Sequence, residues 1–499
     1  MSATYDLVIR GGTVYDGTGV PGVRADVAVR GDRIAAVGAV PERGAAELEA
    51  GGLAVSPGFV DVHSHDDYAV LLEPEMPFKV LQGVTSDVVG NCGSGIVPYE
   101  AGRRRFERIH PGASLEPWEG FAGYLARVDE TRPSCNVVVL MGHGTLRYGA
   151  MGLAQHAPSA AELDRMKGWV REGVTAGAVG LSTGLIYEPG RYAKTDEIVA
   201  LARELDGPSG GLYASHMRNE ADGLLEAVRE TIRVGEEAGV PVQISHHKAS
   251  GRNNWGRVRD SLRLIEEARA RGVDVTADQY PYTAGSTSLF AVVQNGAFRS
   301  DSPGGLGQLG AADVLIASAP RHAEWEGKTL NSLAGEWGAS AAEAADRVVA
   351  AEGEACFVVV FTMDERDVQT VLAHPTTMIG SDGVPTGGKP HPRLYGCFAR
   401  VLGHYVREER VLDLPTAIHR MTGMPARKFQ LAGRGVVRAG AFADLVVFDP
   451  ARIADVATYA EPRRSPEGIH AVYVNGVTVG RDGRHTGARP GRALRRGRE

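Results

Sequence analysis

Apolar and polar positions alternate with a period of two along the first fifty residues. Asp6-Leu-Val-Ile-Arg-Gly-Gly-Thr-Val-Tyr-Asp16 and Ala25-Asp-Val-Ala-Val-Arg-Gly-Asp-Arg-Ile-Ala-Ala-Val37 read as short strands broken by Gly-Gly and Gly-Asp turns. The same texture returns in Ala443-Asp-Leu-Val-Val-Phe-Asp449 and Ala471-Val-Tyr-Val-Asn-Gly-Val-Thr-Val479. The two chain ends are therefore expected to pair into one small β-sandwich domain, residues 1–56 with 420–485, and the rest is inserted between them.

In the middle the pattern changes to strand-like runs alternating with helical stripes. Phe59-Val-Asp-Val62 is followed by runs beginning at Thr85, Asn136, Ala176, Gly211, Pro241, Val273 and Thr377, which makes eight. Between them, Glu220 to Glu237 carries Leu224, Leu225, Val228 and Ile232 on one stripe, and Val258 to Ala270 carries Leu262, Ile265 and Ala268. Eight strand-helix units predict an α/β fold, a (β/α)8 TIM-like barrel over residues 57–419, with its chemistry at the carboxyl ends of the strands. About ninety residues separate the seventh and eighth strands, more than one helix needs. The Gly/Ser/Pro-rich start and the helical stretch Ser340 to Ala351 predict an inserted lid-like subdomain at about 287–352.

Bulk properties narrow the picture. A chain of 499 residues is expected to form two or three domains. A net charge of −7 gives no reason to expect nucleic acid, and no apolar run is long enough for a membrane span. The four cysteines, Cys92, Cys135, Cys356 and Cys397, are too few for a disulfide framework, and the N-terminus lacks signal-peptide character, so a cytoplasmic location is expected. Arg489, Arg492, Arg495, Arg496 and Arg498 form a basic tail, residues 486–499, expected to be solvated. Nothing in the sequence assigns an oligomeric state.

The strand ends carry the chemistry. The first ends in His63 and His65, two apart and so on one side of an extended chain; the second ends in Cys92, the fifth in His216, the sixth in His246, His247 and Lys248, and the eighth in Asp382. Imidazole, thiolate and carboxylate are the ligand types of zinc. Each residue alone has an ordinary reading, since a buried cysteine is commonly a small apolar filler and Asp before Gly commonly makes a turn. Six of them at five strand ends of one barrel favour a metal centre.

This arrangement resembles the amidohydrolase superfamily, and within it the N-acyl-D-amino-acid deacylases, or D-aminoacylases. The resemblance runs along nearly the whole chain and is most specific at Gly90-Asn-Cys-Gly93, Ser215-His-Met-Arg-Asn-Glu220, Ile244-Ser-His-His-Lys248, Tyr280-Pro-Tyr-Thr-Ala284 and Ser381-Asp-Gly383. Many binuclear relatives bridge their metals with a carboxylated lysine on the fourth strand. Here that strand ends Val179-Gly-Leu-Ser-Thr-Gly184 without one, Lys194 coming later, and the deacylases resembled use a cysteine on the second strand instead. The resemblance implies that Cys92, His216 and His246 form one tight zinc site, and that His63, His65 and Asp382 surround a second, weaker one. His247, opposite His246 in an extended chain, is expected to pack or support. Asp382 is the expected general base.

Zinc-dependent hydrolysis of an N-acyl-D-amino acid, N-acetyl or N-formyl, is the activity this implies, its small-molecule substrate held by the α-carboxylate. By the resemblance, Lys248, Tyr280, Ser286 and Arg393 hold that carboxylate. His143 ends the third strand and is a candidate for support or substrate contact. Tyr187 and Met363 are candidates for an apolar side-chain pocket, which favours apolar D-amino acids; no further cation for an acidic side chain is evident in the sequence. The D-preference itself rests on the resemblance. The alternatives are a cyclic-amide hydrolase of the dihydropyrimidinase or hydantoinase kind, disfavoured by Cys92 and the missing lysine, and a non-catalytic scaffold, which would be expected to have lost ligands.

Overall fold

The computed structural model describes residues 4–205, 210–294 and 306–496. Eight parallel strands, Phe59–Asp61, Val84–Val89, Asn136–Gly142, Gly180–Gly184, Leu212–His216, Val242–Ile244, Val275–Gln279 and Thr377–Ile379, lie side by side in chain order, the eighth next to the seventh. The circle closes just past the strand ends, where Ser64 bridges Gly383 in parallel and the Asp382 N–H donates to the His63 carbonyl at 2.7 Å. Nearly every strand residue is buried, as a sheet covered on one face by helices and filled on the other requires.

The helices behave as their stripes demand, with one instructive shift. Val258–Ala270 spans the expected residues and buries Leu262, Ile265 and Ala268. The preceding helix begins only at Leu224, not at Glu220. Asn219 accepts the Ala221 and Gly223 N–H groups at 2.8 and 3.1 Å, and this side-chain turn holds Glu220 outside the helix, at the barrel mouth. In the helix Ala341–Glu352, Ser340 and Glu343 form a reciprocal cap that starts the element where the sequence suggests.

The two chain ends share one nine-stranded sheet, joined where Leu445–Phe448 runs antiparallel to Ala54–Pro57. Its interior holds Ile9, Val27, Val29, Val55, Leu445 and Val447. Between the seventh and eighth barrel strands, Ala284–Ser288, Val314–Ser318 and Phe357–Phe361 form a three-stranded sheet with a core of its own that includes Leu289, Ile316, Leu330 and Val358.

The basic tail departs from expectation. Through Arg496 it is docked rather than solvated: Val137 donates to the Arg492 carbonyl at 2.9 Å, Leu494 donates to the Val137 carbonyl at 2.8 Å, and Ala493 is buried. Arg492 and Arg495 pair with Asp32 and Asp129 at 2.8 and 2.7 Å. The unpaired edge of the third-strand entry gives the tail backbone partners, and two acidic side chains take its charge. Arg498 lies outside the described residues.

Candidate metal centre

Gly90-Asn-Cys-Gly93 shows how the local sequence aims a ligand. Gly90 has φ +84°, and a Cβ there would stand 2.1 Å from the Leu140 carbonyl oxygen, so only glycine lets the second strand turn this tightly. The turn continues through Cys92 at φ +53°. His246 and Asp382 also adopt left-handed backbone, at φ +35° and +49°. Non-glycine residues in this region are uncommon and cost free energy, and three of the six expected ligands are held there. For His246 this replaces the expected reasoning: the sixth strand stops at Ile244, so a left-handed turn rather than strand alternation separates His246 from His247.

The six side chains do meet. Donor atoms of Cys92, His216 and His246 lie within 4.8 Å of one another, as do those of His63, His65, Cys92 and Asp382, so Cys92 belongs to both groups. His246 Nε2 faces His216 Nδ1 at 2.8 Å and the Cys92 sulfur at 3.4 Å, while His63 Nε2 approaches that sulfur at 3.2 Å. Asp382 Oδ1 lies 3.1 Å from His65 Nε2 and 3.6 Å from His63 Nε2. All six residues are buried. Burial, together with the Lys248 charge, holds His246 well below the usual histidine range, and burial does the same to His216. Burial likewise pushes His65 down to about 3. Neutral imidazoles are the ligand form. Burial raises the Cys92 thiol against the pull of His63, as befits a sulfur that ionises on metal contact. One sulfur and two imidazole nitrogens closing on one point are a donor set suited to zinc.

Outside these ligands stand two carboxylates that the sequence reading did not single out. Asp278 Oδ1 lies 3.1 Å from His63 Nδ1 and accepts the His246 backbone N–H at 2.7 Å, while Gln243 donates to its other oxygen at 2.8 Å. Glu220 Oε1 lies 2.9 Å from His246 Nδ1. A carboxylate behind a ligating histidine fixes the tautomer and turns the other nitrogen toward the metal. Glu220 was visible in Ser215-His-Met-Arg-Asn-Glu220 and Asp278 on the seventh strand, but neither carries a spacing signal of its own.

The expected substrate residues divide. Lys248 pairs with Glu220 at 2.6 Å and lies 5.8 Å from the centre of the Tyr280 ring; Arg393 lies over the same ring at 4.4 Å, and Tyr280 Oη reaches Met363 sulfur at 4.0 Å. Arg393, fully buried, reaches Asp382 Oδ2 at 3.0 Å with Nη1, and its Nε has no hydrogen-bond partner among the described residues. Despite burial, which alone would raise it, Asp382 is held well below the carboxylate range by Arg393 and the surrounding histidines. Ser286 and Tyr187 line a cavity of about 150 Å3 that His65 and Cys92 also border. The Tyr187 hydroxyl lies 3.2 Å from that of Thr287 of the inserted sheet. Met363 is not part of that lining.

Two histidines lie elsewhere. His143 begins a helix, His143–Met151, and its Nε2 meets Glu197 at 2.9 Å beside Arg147, so this nitrogen ties two helices together. The chain turns helical at this residue, directly after the third strand. His247 meets Ser261 at 2.9 Å on the helix outside the barrel. The fourth strand, Gly180–Gly184, carries no lysine, and Lys194 sits at the start of the helix Thr195–Ala202.

The Amidohydrolase family profile matches residues 46–480. A D-aminoacylase of Alcaligenes xylosoxydans xylosoxydans is 43% identical over 99% of this chain and 98% of its own length. An N-acyl-D-glutamate deacylase of the same organism is 41% identical over 99% and 98%. Among solved structures, an N-acyl-D-glutamate deacylase from Bordetella bronchiseptica, in complex with zinc and a phosphonate inhibitor that mimics the tetrahedral intermediate, superposes with a TM-score of 0.87 at 40% identity, covering 98% of this chain and 99% of that one. A D-hydantoinase structure superposes with a TM-score of 0.58 at 14% identity, a likeness of fold alone.

Proposed function

The chain belongs to the amidohydrolase family, within its N-acyl-D-amino-acid deacylases, and from that premise we propose that it hydrolyses the amide bond of N-acyl-D-amino acids to a free D-amino acid and a carboxylate. The observation that carries this is the shared sulfur: Cys92 closes with His216 and His246 on one point and with His63, His65 and Asp382 on an adjacent one. The first group would hold the tight zinc and the second a weaker metal position. Bound zinc supplies Lewis acidity, which acidifies water and polarises an amide carbonyl.

The protein's own groups do the rest. Asp382 is the general base: it is ionised at rest, and a proton taken on its carboxylate can be handed to the departing amine nitrogen. Arg393 steadies that carboxylate through one nitrogen and keeps Nε free for the substrate's α-carboxylate. Lys248 and Tyr280 flank it, and Ser286 adds a hydroxyl from the inserted sheet. Lys248 is paired with Glu220 as Arg393 is with Asp382, so each cation brings the grip a charge already partly offset. The four cysteines are free and buried, which supports a cytoplasmic home.

The test is metal analysis of purified protein combined with initial rates on paired N-acetyl-D- and N-acetyl-L-amino acids. Zinc near one equivalent and release of D-amino acids alone is the expected result. Absence of zinc, or equal rates on both enantiomers, overturns the reading.

A further inference from the structure

The connection between the second and third barrel strands carries the helix Tyr99–Ile109, and with it a cation that the mechanism above does not use. Arg105 is half-buried and lines the same cavity as His65 and Cys92. Its neighbours are committed: Arg103 pairs with Glu100 and Glu107 at 3.1 and 2.5 Å, and Arg104 reaches Glu354 of the insertion at 3.1 Å. Arg105, among the described residues, has no carboxylate at ion-pair distance and makes no hydrogen bond.

The helix that presents it is firmly seated. Phe106 is buried with its ring centre 5.0 Å from that of Tyr68, and Gly102 lies so close to the Tyr68 hydroxyl that a Cβ would stand 2.5 Å away. A guanidinium held at a cavity wall with its donors unspent is suited to a carboxylate, which it can take in two parallel hydrogen bonds. The substrate's α-carboxylate already has cations in Arg393 and Lys248, neither of which borders this cavity. Ser286, Thr287, Phe290 and Phe357 supply neutral walls; the two carboxylates on the lining, Glu354 and Glu188, are engaged by Arg104 and by the Tyr192 hydroxyl.

We propose that Arg105 is a specificity-determining residue that receives a second carboxylate of the substrate, carried on the amino-acid side chain or on the far end of the acyl group. This rests on the deacylase reading. It adds to the pocket the cation that the sequence alone does not reveal.

The experiment compares the zinc-loaded full-length protein with Arg105→Gln and Arg105→Lys on N-acetyl-D-leucine, N-acetyl-D-glutamate and N-succinyl-D-leucine. Arg105→Gln is expected to lower kcat/KM about tenfold or more on one dicarboxylate, chiefly through KM, with N-acetyl-D-leucine changed less than about threefold. Arg105→Lys should recover part of the loss. A loss on the glutamate substrate assigns the side chain, and a loss on the succinyl substrate assigns the acyl end. Equal losses on all three substrates, or none on either dicarboxylate, overturn the proposal. Wild-type turnover of N-acetyl-D-leucine with neither dicarboxylate accepted overturns it while the deacylase reading stands; no turnover of any of the three removes both.

Discussion

Asp278 Oδ1 lies 3.1 Å from Nδ1 of His63, and both groups are fully buried. The same oxygen accepts the His246 backbone N–H at 2.7 Å, so one carboxylate on the seventh strand orients ligands on the first and the sixth. Burial alone would lower His63, but its coupling to the Cys92 sulfur and to the Asp278 and Asp382 carboxylates outweighs it and raises the ring well above the usual histidine range. Asp278→Asn keeps the shape and removes the charge. It should weaken zinc binding about 10–100-fold, measured by competition with a chromogenic chelator. Unchanged affinity would reduce Asp278 to a packing role.

Cys92 and Asp382 should separate metal from turnover. Cys92→Ala removes the sulfur common to both ligand groups, so zinc content and activity should fall together. Asp382→Asn leaves Cys92, His216 and His246 intact, so the protein should retain about one zinc while turnover falls by about a hundredfold or more. Near-wild-type activity in Asp382→Asn would reassign the base.

A buried ion cluster links the first two barrel strands beneath this centre. Lys79 Nζ lies 2.5 Å from Asp61, 3.0 Å from Asp66 and 3.4 Å from Asp87, all without solvent exposure. Asp61 in turn accepts the Ser381 N–H at 2.8 Å, next to Asp382. Lys79→Met would strand these carboxylates without their cation. A loss of roughly 3–5 kcal/mol is expected in chemical denaturation, larger at pH 8 than at pH 5, because burial raises Asp66 and Asp87 above the usual carboxylate range and acid lets them protonate. A loss below about 1 kcal/mol would mean that the cluster relaxes freely.

Acid should act on His247 in a defined window. Burial pushes its ring down to about 4, while in the unfolded chain it titrates near 6.5. Below pH 6.5 the unfolded state binds the proton and the folded state does not, so stability is full above 6.5 and is lost as pH falls toward 4. His247→Gln, still able to hydrogen-bond Ser261, should remove up to about 1.4 kcal/mol per pH unit of that slope. Identical slopes for wild type and variant would rule His247 out as a contributor.

The sequence by itself determined the barrel and the set of side chains that cluster at its strand ends. Period-two runs alternating with helical stripes leave few folds, and a parallel barrel brings strand ends together whatever the loops do, so His63, His65, Cys92, His216, His246 and Asp382 could be read as one set. Tertiary structure decided their partners. His63 and Asp278 are 215 residues apart, and only strand register sets them 3.1 Å from each other. Glu220 reads as a helix residue until the Asn219 turn holds it at His246, and His143 reads as a mouth residue until the chain turns helical and hands it to Glu197. Arg105 is one arginine among several on a polar helix in the sequence. Its place on the cavity wall depends on how Phe106 and Gly102 pack against Tyr68. Periodicity is local and survives in the sequence, whereas side-chain pairing across a barrel depends on register, backbone handedness and helix seating, which only the folded chain supplies.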